Sequence, residues 1–140
     1  MNISLEALSR WVGRRNAALI TSVDADGTPN VKAMLLPRKR EGLRVLYFST
    51  NTSSMRVAQY RANPRACVYF YRKGWIRYRG LMLKGSMEVL EDAESKRALW
   101  RPGDKLFYPK GVTDPDYCVL RFTTDSARIY QDLHTEDLPL

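Results

Sequence analysis

Ala17-Ala-Leu-Ile-Thr-Ser-Val-Asp-Ala-Asp-Gly-Thr-Pro-Asn-Val-Lys-Ala-Met-Leu-Leu36 is the stretch on which the fold turns. Residues 17–24 read as a strand, Ala25 to Thr28 as a turn, and Asn30 to Pro37 as a second strand. Asp26-Gly27 is a favoured hairpin dipeptide because both residue types tolerate positive φ. Upstream lies a short amphipathic helix. Ser4 can cap it, Leu5, Leu8, Trp11 and Val12 recur at three-to-four spacing, and Gly13 can end it. Downstream, Lys39 to Gly42 reads as a turn into a third strand, Leu43 to Ser49.

A hydroxyl-rich junction, Ser49-Thr-Asn-Thr-Ser-Ser54, leads into the helical spacing of Met55 to Ala62, which Asn63-Pro64 stops. Ala66 to Tyr71 is strand-like and Arg72-Lys-Gly74 turns. Ile76 to Leu90 makes a long or bent strand in which Gly80 and Gly85 mark bulges or corners. Asp92 caps a third helix that reaches Trp100. Arg101 to Tyr117, with Pro102, Pro109 and Pro115, is irregular, and Cys118 to Thr123 and Ser126 to Tyr130 close the chain as strands. Six or more strands joined by short turns, with three small helices inserted, predict a mainly β, largely antiparallel barrel. On this reading residues 1–132 form one domain and residues 133–140 a loosely held tail.

The chain of 140 residues carries a formal charge of +8, and 44% of its residues are hydrophobic, enough for one core. No stretch approaches the roughly 18 uncharged apolar residues of a membrane span. Nor does the N-terminus, with Glu6 and Arg10, have the apolar run of a secretory signal, so a cytoplasmic domain is expected. Residues 1–84 hold 16 basic and 4 acidic side chains, whereas residues 85–140 hold 7 and 11, balances of +12 and −4. Such asymmetry suits an anionic partner for the first part: nucleic acid, membrane surface or a phosphorylated small molecule.

Several chemistries are excluded. Two cysteines, Cys67 and Cys118, each inside an apolar run, and a single histidine, His134, cannot build a zinc site, and no metal is expected. Both cysteines read as buried small hydrophobes. There is no G-x-S-x-G elbow, and His134 lies in the tail, which argues against a Ser-His or Cys-His nucleophile pair. Gly80 to Ser86 echoes a phosphate loop but lacks the Lys before the Ser and lies mid-strand. Asp114-Pro-Asp116 reads as a turn. No side chain stands out as a general acid or base.

Three features carry binding chemistry. At Ser49 to Arg56 a strand delivers Thr50, Thr52, Ser53 and Ser54 to a helix start, with Arg56 in its first turn. Helix N–H groups, hydroxyls, the positive helix end and a guanidinium suit a phosphate, although simple N-capping with a solvated Arg explains the same residues. Lys32 interrupts an apolar strand on the face it shares with Met34 and Leu36, as a snorkelling edge residue or an anion ligand. Tyr69-Phe-Tyr-Arg-Lys-Gly-Trp-Ile-Arg-Tyr-Arg79 interleaves rings with bases. That is the profile of a single-strand-binding face, or of a hairpin with rings on the core side and bases outside.

Together these residues resemble the pyridoxamine 5′-phosphate oxidase-like family of FMN-binding split barrels, over nearly the whole chain. The likeness rests on Asp26-Gly-Thr-Pro-Asn-Val-Lys32, Lys32-Ala-Met-Leu-Leu36, Phe48-Ser-Thr-Asn-Thr-Ser-Ser-Met-Arg56 and Asn63-Pro-Arg65. Leu99-Trp-Arg-Pro-Gly103, Tyr108-Pro109 and Thr113-Asp-Pro-Asp-Tyr117 look like its general-stress-protein branch.

The resemblance implies a six-stranded antiparallel split β-barrel of Greek-key type, forming a homodimer with FMN at the subunit interface. It implies flavin-dependent oxidoreduction of a small molecule. It places the FMN phosphate on Lys32, Ser49, Thr50, Ser54 and Arg56, with Met55 in the same segment, and the isoalloxazine ring along Ala33 and Met34. Trp100 and Tyr108 become candidates for flavin or substrate contact from the partner subunit.

The pattern also departs from the family's. Arginine is common where Lys32 stands, and lysine where Arg56 stands, so the bidentate group changes place. The C-terminal Trp and Arg pair of the true oxidase has no counterpart after Tyr117 beyond Arg121 and Arg128, which argues against vitamin B6 as substrate. Deazaflavin is a second candidate cofactor. Haem would want an axial histidine, for which His134 is poorly placed. A nucleic-acid-binding barrel and a redox-inactive flavin-binding protein are the other readings.

Overall fold

The hairpin forms as read. β1 (Ala18–Val23) pairs antiparallel with β2 (Pro29–Met34), Ile20 opposite Lys32 and Leu19 opposite Ala33. Gly27 N donates to the Asp24 carbonyl at 2.9 Å, and Asp24 N to the Thr28 carbonyl at 2.8 Å. Of the turn dipeptide only Gly27 takes positive φ, 86°. Asp26 instead accepts Thr28 N on its carboxylate, at 3.0 Å, so the turn uses its acceptor and not its tolerance of left-handed backbone.

This computed structural model describes residues 2–140. Along the chain follow α1 (Leu5–Val12), the hairpin, β3 (Lys39–Glu41), β4 (Val45–Asn51), α2 (Met55–Ala62), β5 (Arg65–Lys73) and β6 (Tyr78–Leu90). Then come α3 (Ala93–Leu99), two 3-10 turns (Pro102–Leu106 and Gly111–Thr113), β7 (Tyr117–Gln131) and β8 (His134–Leu138). The ladder runs β2-β1-β5-β6-β7-β4-β3, with β8 added beside β7. β2 and β3 are its two ends, so the mainly β, antiparallel barrel is split and not closed.

Four local expectations are corrected. Lys39 to Glu41 is not part of a turn but a short strand paired with β4, the turn falling at Gly42, φ 58°. The two closing strands are one, because β7 runs unbroken from Tyr117 to Gln131. The octapeptide expected to hang loosely pairs with β7 as β8, through a turn in which Asp132 takes φ 53°. Cys67 is half-buried, and only Cys118 is fully buried.

Alternation decides the core. Ile20, Phe48, Val68, Phe70, Leu81, Leu83, Phe122 and Ile129 point inward, and α1 closes one end with Leu8 and Trp11. Each such side chain contributes roughly 1.5–3 kcal/mol by leaving water. The bulge read from Gly85 is present, because the β6–β7 register slips between Lys84 and Gly85. A Cβ there would overlap the Thr123 carbonyl oxygen, so only glycine lets the strands close. A smaller cluster lies outside the barrel, where Leu99, Tyr117 and Val119 pack with Tyr47, Trp100 and Tyr108.

Candidate functional site

β4 carries Thr50 into the buried layer, and the chain then turns through Asn51–Ser54 into α2. The turn is held from below. Asp116 accepts Thr52 N on its carbonyl at 2.7 Å and Ser53 N on its carboxylate at 2.8 Å. Asn51 Nδ2 donates to Ser53 Oγ at 3.0 Å. Ser54 stands at the N-cap with extended backbone, yet its side chain makes no capping bond, and the first turn of α2 holds no acid.

The polar atoms left over gather at this point. Ser54 Oγ, Thr52 Oγ1 and Arg56 Nε are buried and have no hydrogen-bond partner among the described residues. Only the Cys118 thiol, pushed up by burial, lies beside the Thr52 hydroxyl, a weak partner. Arg56 does turn inward, giving Nη2 to Thr50 Oγ1 at 3.3 Å. A buried polar group left unpaired costs about 1–3 kcal/mol. Hydroxyls, a guanidinium edge and the positive end of a helix converging on one place make a cradle for an anion, and the donor set fits a phosphate.

The other candidates lie in two separate places. Lys32 stands on edge strand β2, on the face of Ile20 and Met34 as alternation required; it is exposed and unpaired among the described residues. Among the described residues no hydrogen bond joins it to Arg56. Ala33 is exposed on the opposite face of β2, Met34 is half-buried, and Met55 stands 74% exposed. Ser49 faces away from Thr50, toward the outer cluster, where its hydroxyl lies 3.4 Å from that of Tyr117.

Trp100 and Tyr108 belong to that outer cluster. Their ring centroids lie 5.2 and 5.0 Å from Tyr117, and burial pushes the Tyr108 hydroxyl up to about 12. Tyr117, which the motif Thr113-Asp-Pro-Asp-Tyr117 contains without assigning it a role, is the hub. Its hydroxyl donates to the Lys96 carbonyl at 3.1 Å, and the Lys96 ammonium, buried, lies 5.6 Å from its ring and donates to the Asp114 carbonyl at 2.9 Å. Asp114-Pro-Asp116 is the expected turn: the Asp114 carboxylate accepts Lys110 N and Asp116 N.

A buried ion pair behind this cluster was not legible either. Arg38 grips Asp104 with both terminal nitrogens, Nη2 to Oδ1 at 2.6 Å, and also donates to the Leu99 carbonyl. The guanidinium holds the Asp104 carboxyl below the usual carboxylate range. The bases after Tyr117 are already engaged, Arg121 with Glu88 at 2.8 Å and Arg128 with Asp137 at 2.8 Å.

The split barrel that carries the anion cradle at the start of α2 is a scaffold found in known proteins. The pyridoxamine 5′-phosphate oxidase family model matches residues 4–131, and the chain belongs to that family. It is 34% identical over 91 residues to the pyridoxine/pyridoxamine 5′-phosphate oxidase of Cupriavidus metallidurans, covering 64% of this chain and 41% of that protein. The chain thus spans about two fifths of the length of such a relative. Among solved structures, a Clostridium acetobutylicum protein related to general stress protein 26 of B. subtilis, of the pyridoxinephosphate oxidase family, superposes with a TM-score of 0.84. It is 34% identical, over 97% of this chain and 94% of that one. General stress protein 26 of Bacillus anthracis, 22% identical with a TM-score of 0.72 over 96% and 98%, shares the fold.

Proposed function

We propose that the protein is an FMN-binding oxidoreductase of this family, a homodimer with flavin between its subunits. The observation that carries the reading is the group of unpartnered buried donors around Ser54 and Arg56. Ser54, Arg56 and Thr50 would hold the phosphate from α2 and β4, with Lys32 adding a second charge from β2. Ala33 and Met34 would back the isoalloxazine ring, whose chemistry when bound is hydride or electron transfer. The chain's own part is to bind, orient and shield; no side chain is assigned a proton-transfer role.

The outer sheet face supports the dimer. Cross-strand partners share a face, which places Leu19 and Ala33 with Tyr69 and Met82, and Thr21 with Val31. Val31 is 67% exposed and Tyr71 50% exposed, and such a surface suits burial against a second copy. Trp100, Tyr108 and Ser49 lie in the outer cluster, so any flavin contact of theirs would be made across that interface. We take the substrate to be a small molecule, and the lack of a counterpart to the true oxidase's C-terminal Trp and Arg pair favours one other than a B6 vitamer.

The purified protein should show the visible absorbance of bound oxidised flavin, or quench its tryptophan fluorescence when FMN is added. A protein that does neither, and does not bind FMN in calorimetry, is not a flavoprotein. A deazaflavin titration in parallel distinguishes the two cofactors.

A further inference from the structure

The cradle accounts for Arg56 and Lys32, but a larger charge cluster lies beside the Leu19–Ala33 pair of the hairpin. The loop after α1 brings Arg14 and Arg15 there, and the end of β5 brings Arg72 and Lys73. With them they line a depression of about 670 Å³ whose remaining wall includes Leu19, Tyr71 and Ala33, and no carboxylate. Arg14, Arg72 and Lys73 have no ion-pair partner among the described residues. The cluster is also crowded: burial, then the charges of Arg72, Arg14 and Arg79, hold the Arg15 guanidinium below its ordinary value. Like charges brought together from separate elements repel, and a multiply charged anion relieves that repulsion.

We propose that this depression holds the anionic end of the molecule presented to the flavin, and that this end is a diphosphate or longer phosphate chain. The proposal rests on the flavin reading through Ala33, which forms one wall of the depression and is the residue assigned to the ring. A substrate lying across it would place its reacting end against the apolar wall and its phosphates among the four cations. The size is that of a small-molecule site, within the usual range of about 300–1,000 Å³. Nucleic acid fits less well, because a single ring, Tyr71, lines the depression and gives no run of faces for successive bases. Trp11 lies buried, with the Arg15 guanidinium carbon 4.5 Å from its ring centre. Arginine predominates over lysine, which suits planar, bidentate contact with phosphate oxygens.

Calorimetry with tripolyphosphate at low salt, on the full chain with and without FMN, tests the assignment. Arg14→Ala and Arg72→Ala should each weaken tripolyphosphate binding at least tenfold while leaving FMN affinity within about twofold. Lys32→Ala and Arg56→Ala should do the reverse, so that failure of the flavin reading shows in the FMN titration and failure of this one in the other. Lys105→Ala, which removes one exposed charge elsewhere, should change neither. The proposal is overturned if tripolyphosphate does not bind, or if its binding follows Lys32 and Arg56 instead. It is equally overturned if a single-stranded oligonucleotide binds tightly with a steep salt dependence through Arg14 and Arg72 where tripolyphosphate does not.

Discussion

α2 and α3 begin alike and are finished differently. Both start from an extended residue with a capping side chain, Ser54 and Asp92. Asp92 accepts Ser95 N at 3.0 Å, and Glu94 follows in the first turn, so the positive end of α3 is satisfied from within the chain. Ser54 accepts nothing, no acid follows it, and its oxygen is buried. The two nearby guanidiniums repeat the contrast. Arg38, close to the end of α3, has a carboxylate and a carbonyl; Arg56, at the start of α2, has one hydroxyl and an idle Nε. The start of α3 is complete as a single chain. The start of α2 holds donors that only an anion from outside would complete.

The largest effect should fall on the completed side. Arg38→Ala leaves the Asp104 carboxylate buried without its partner, and urea unfolding should show a loss of about 3–5 kcal/mol. The same pair sets an acid dependence. Because the folded Asp104 carboxyl lies below its unfolded value, its stabilisation is complete above the ordinary carboxylate pKa of about 3.9 and is lost as pH falls through the lower folded value. Urea midpoints followed into acid should therefore fall less steeply for Asp104→Asn than for the unmodified protein. An unchanged acid limb would remove the pair from that role.

On the open side the effect should appear in binding more than in stability. Arg56→Ala removes a charged donor from the proposed phosphate, worth about 1.5–3 kcal/mol, or roughly ten- to a hundredfold in FMN affinity. Its stability without FMN should fall by no more than about 1 kcal/mol, since the one bond lost is the long Nη2 contact with Thr50 Oγ1 at 3.3 Å and Nε has no partner. A large loss of stability would mean that Arg56 is structural and that the contrast with Arg38 is misread.

Much of this contrast was legible in the residues, and the part that was not has a physical reason. Ser54 and Arg56 are two positions apart at a helix start, and Thr50 follows from strand alternation, so local chemistry suffices to assemble them. Arg38 and Asp104 meet only because β3 and the first 3-10 turn are folded against each other, and no local period announces that. β3 and β8 escaped for a related reason. Lys39-Arg-Glu41 and His134-Thr-Glu-Asp-Leu138 lie at sheet margins and bury almost nothing, so they carry no alternation of apolar residues. Backbone pairing and, for β8, the Arg128–Asp137 contact hold them instead.

The two capping residues give the smallest effects and the most direct comparison. Asp92→Ala should lower stability by about 1 kcal/mol, the usual loss for a helix cap that is in use, and FMN should bind as before. Ser54→Ala removes a hydroxyl that bonds to nothing, so without FMN the unfolding midpoint should stay within about 0.5 kcal/mol of the parent or rise slightly. Its cost should appear only when the cofactor is present, as a loss of about 0.5–1.5 kcal/mol in binding, a two- to tenfold change by calorimetry. If Ser54→Ala instead destabilises the free protein as much as Asp92→Ala does, the serine is an ordinary cap whose bond forms in solution. The start of α2 would then be as self-sufficient as that of α3, and the cradle would lose the observation on which it stands.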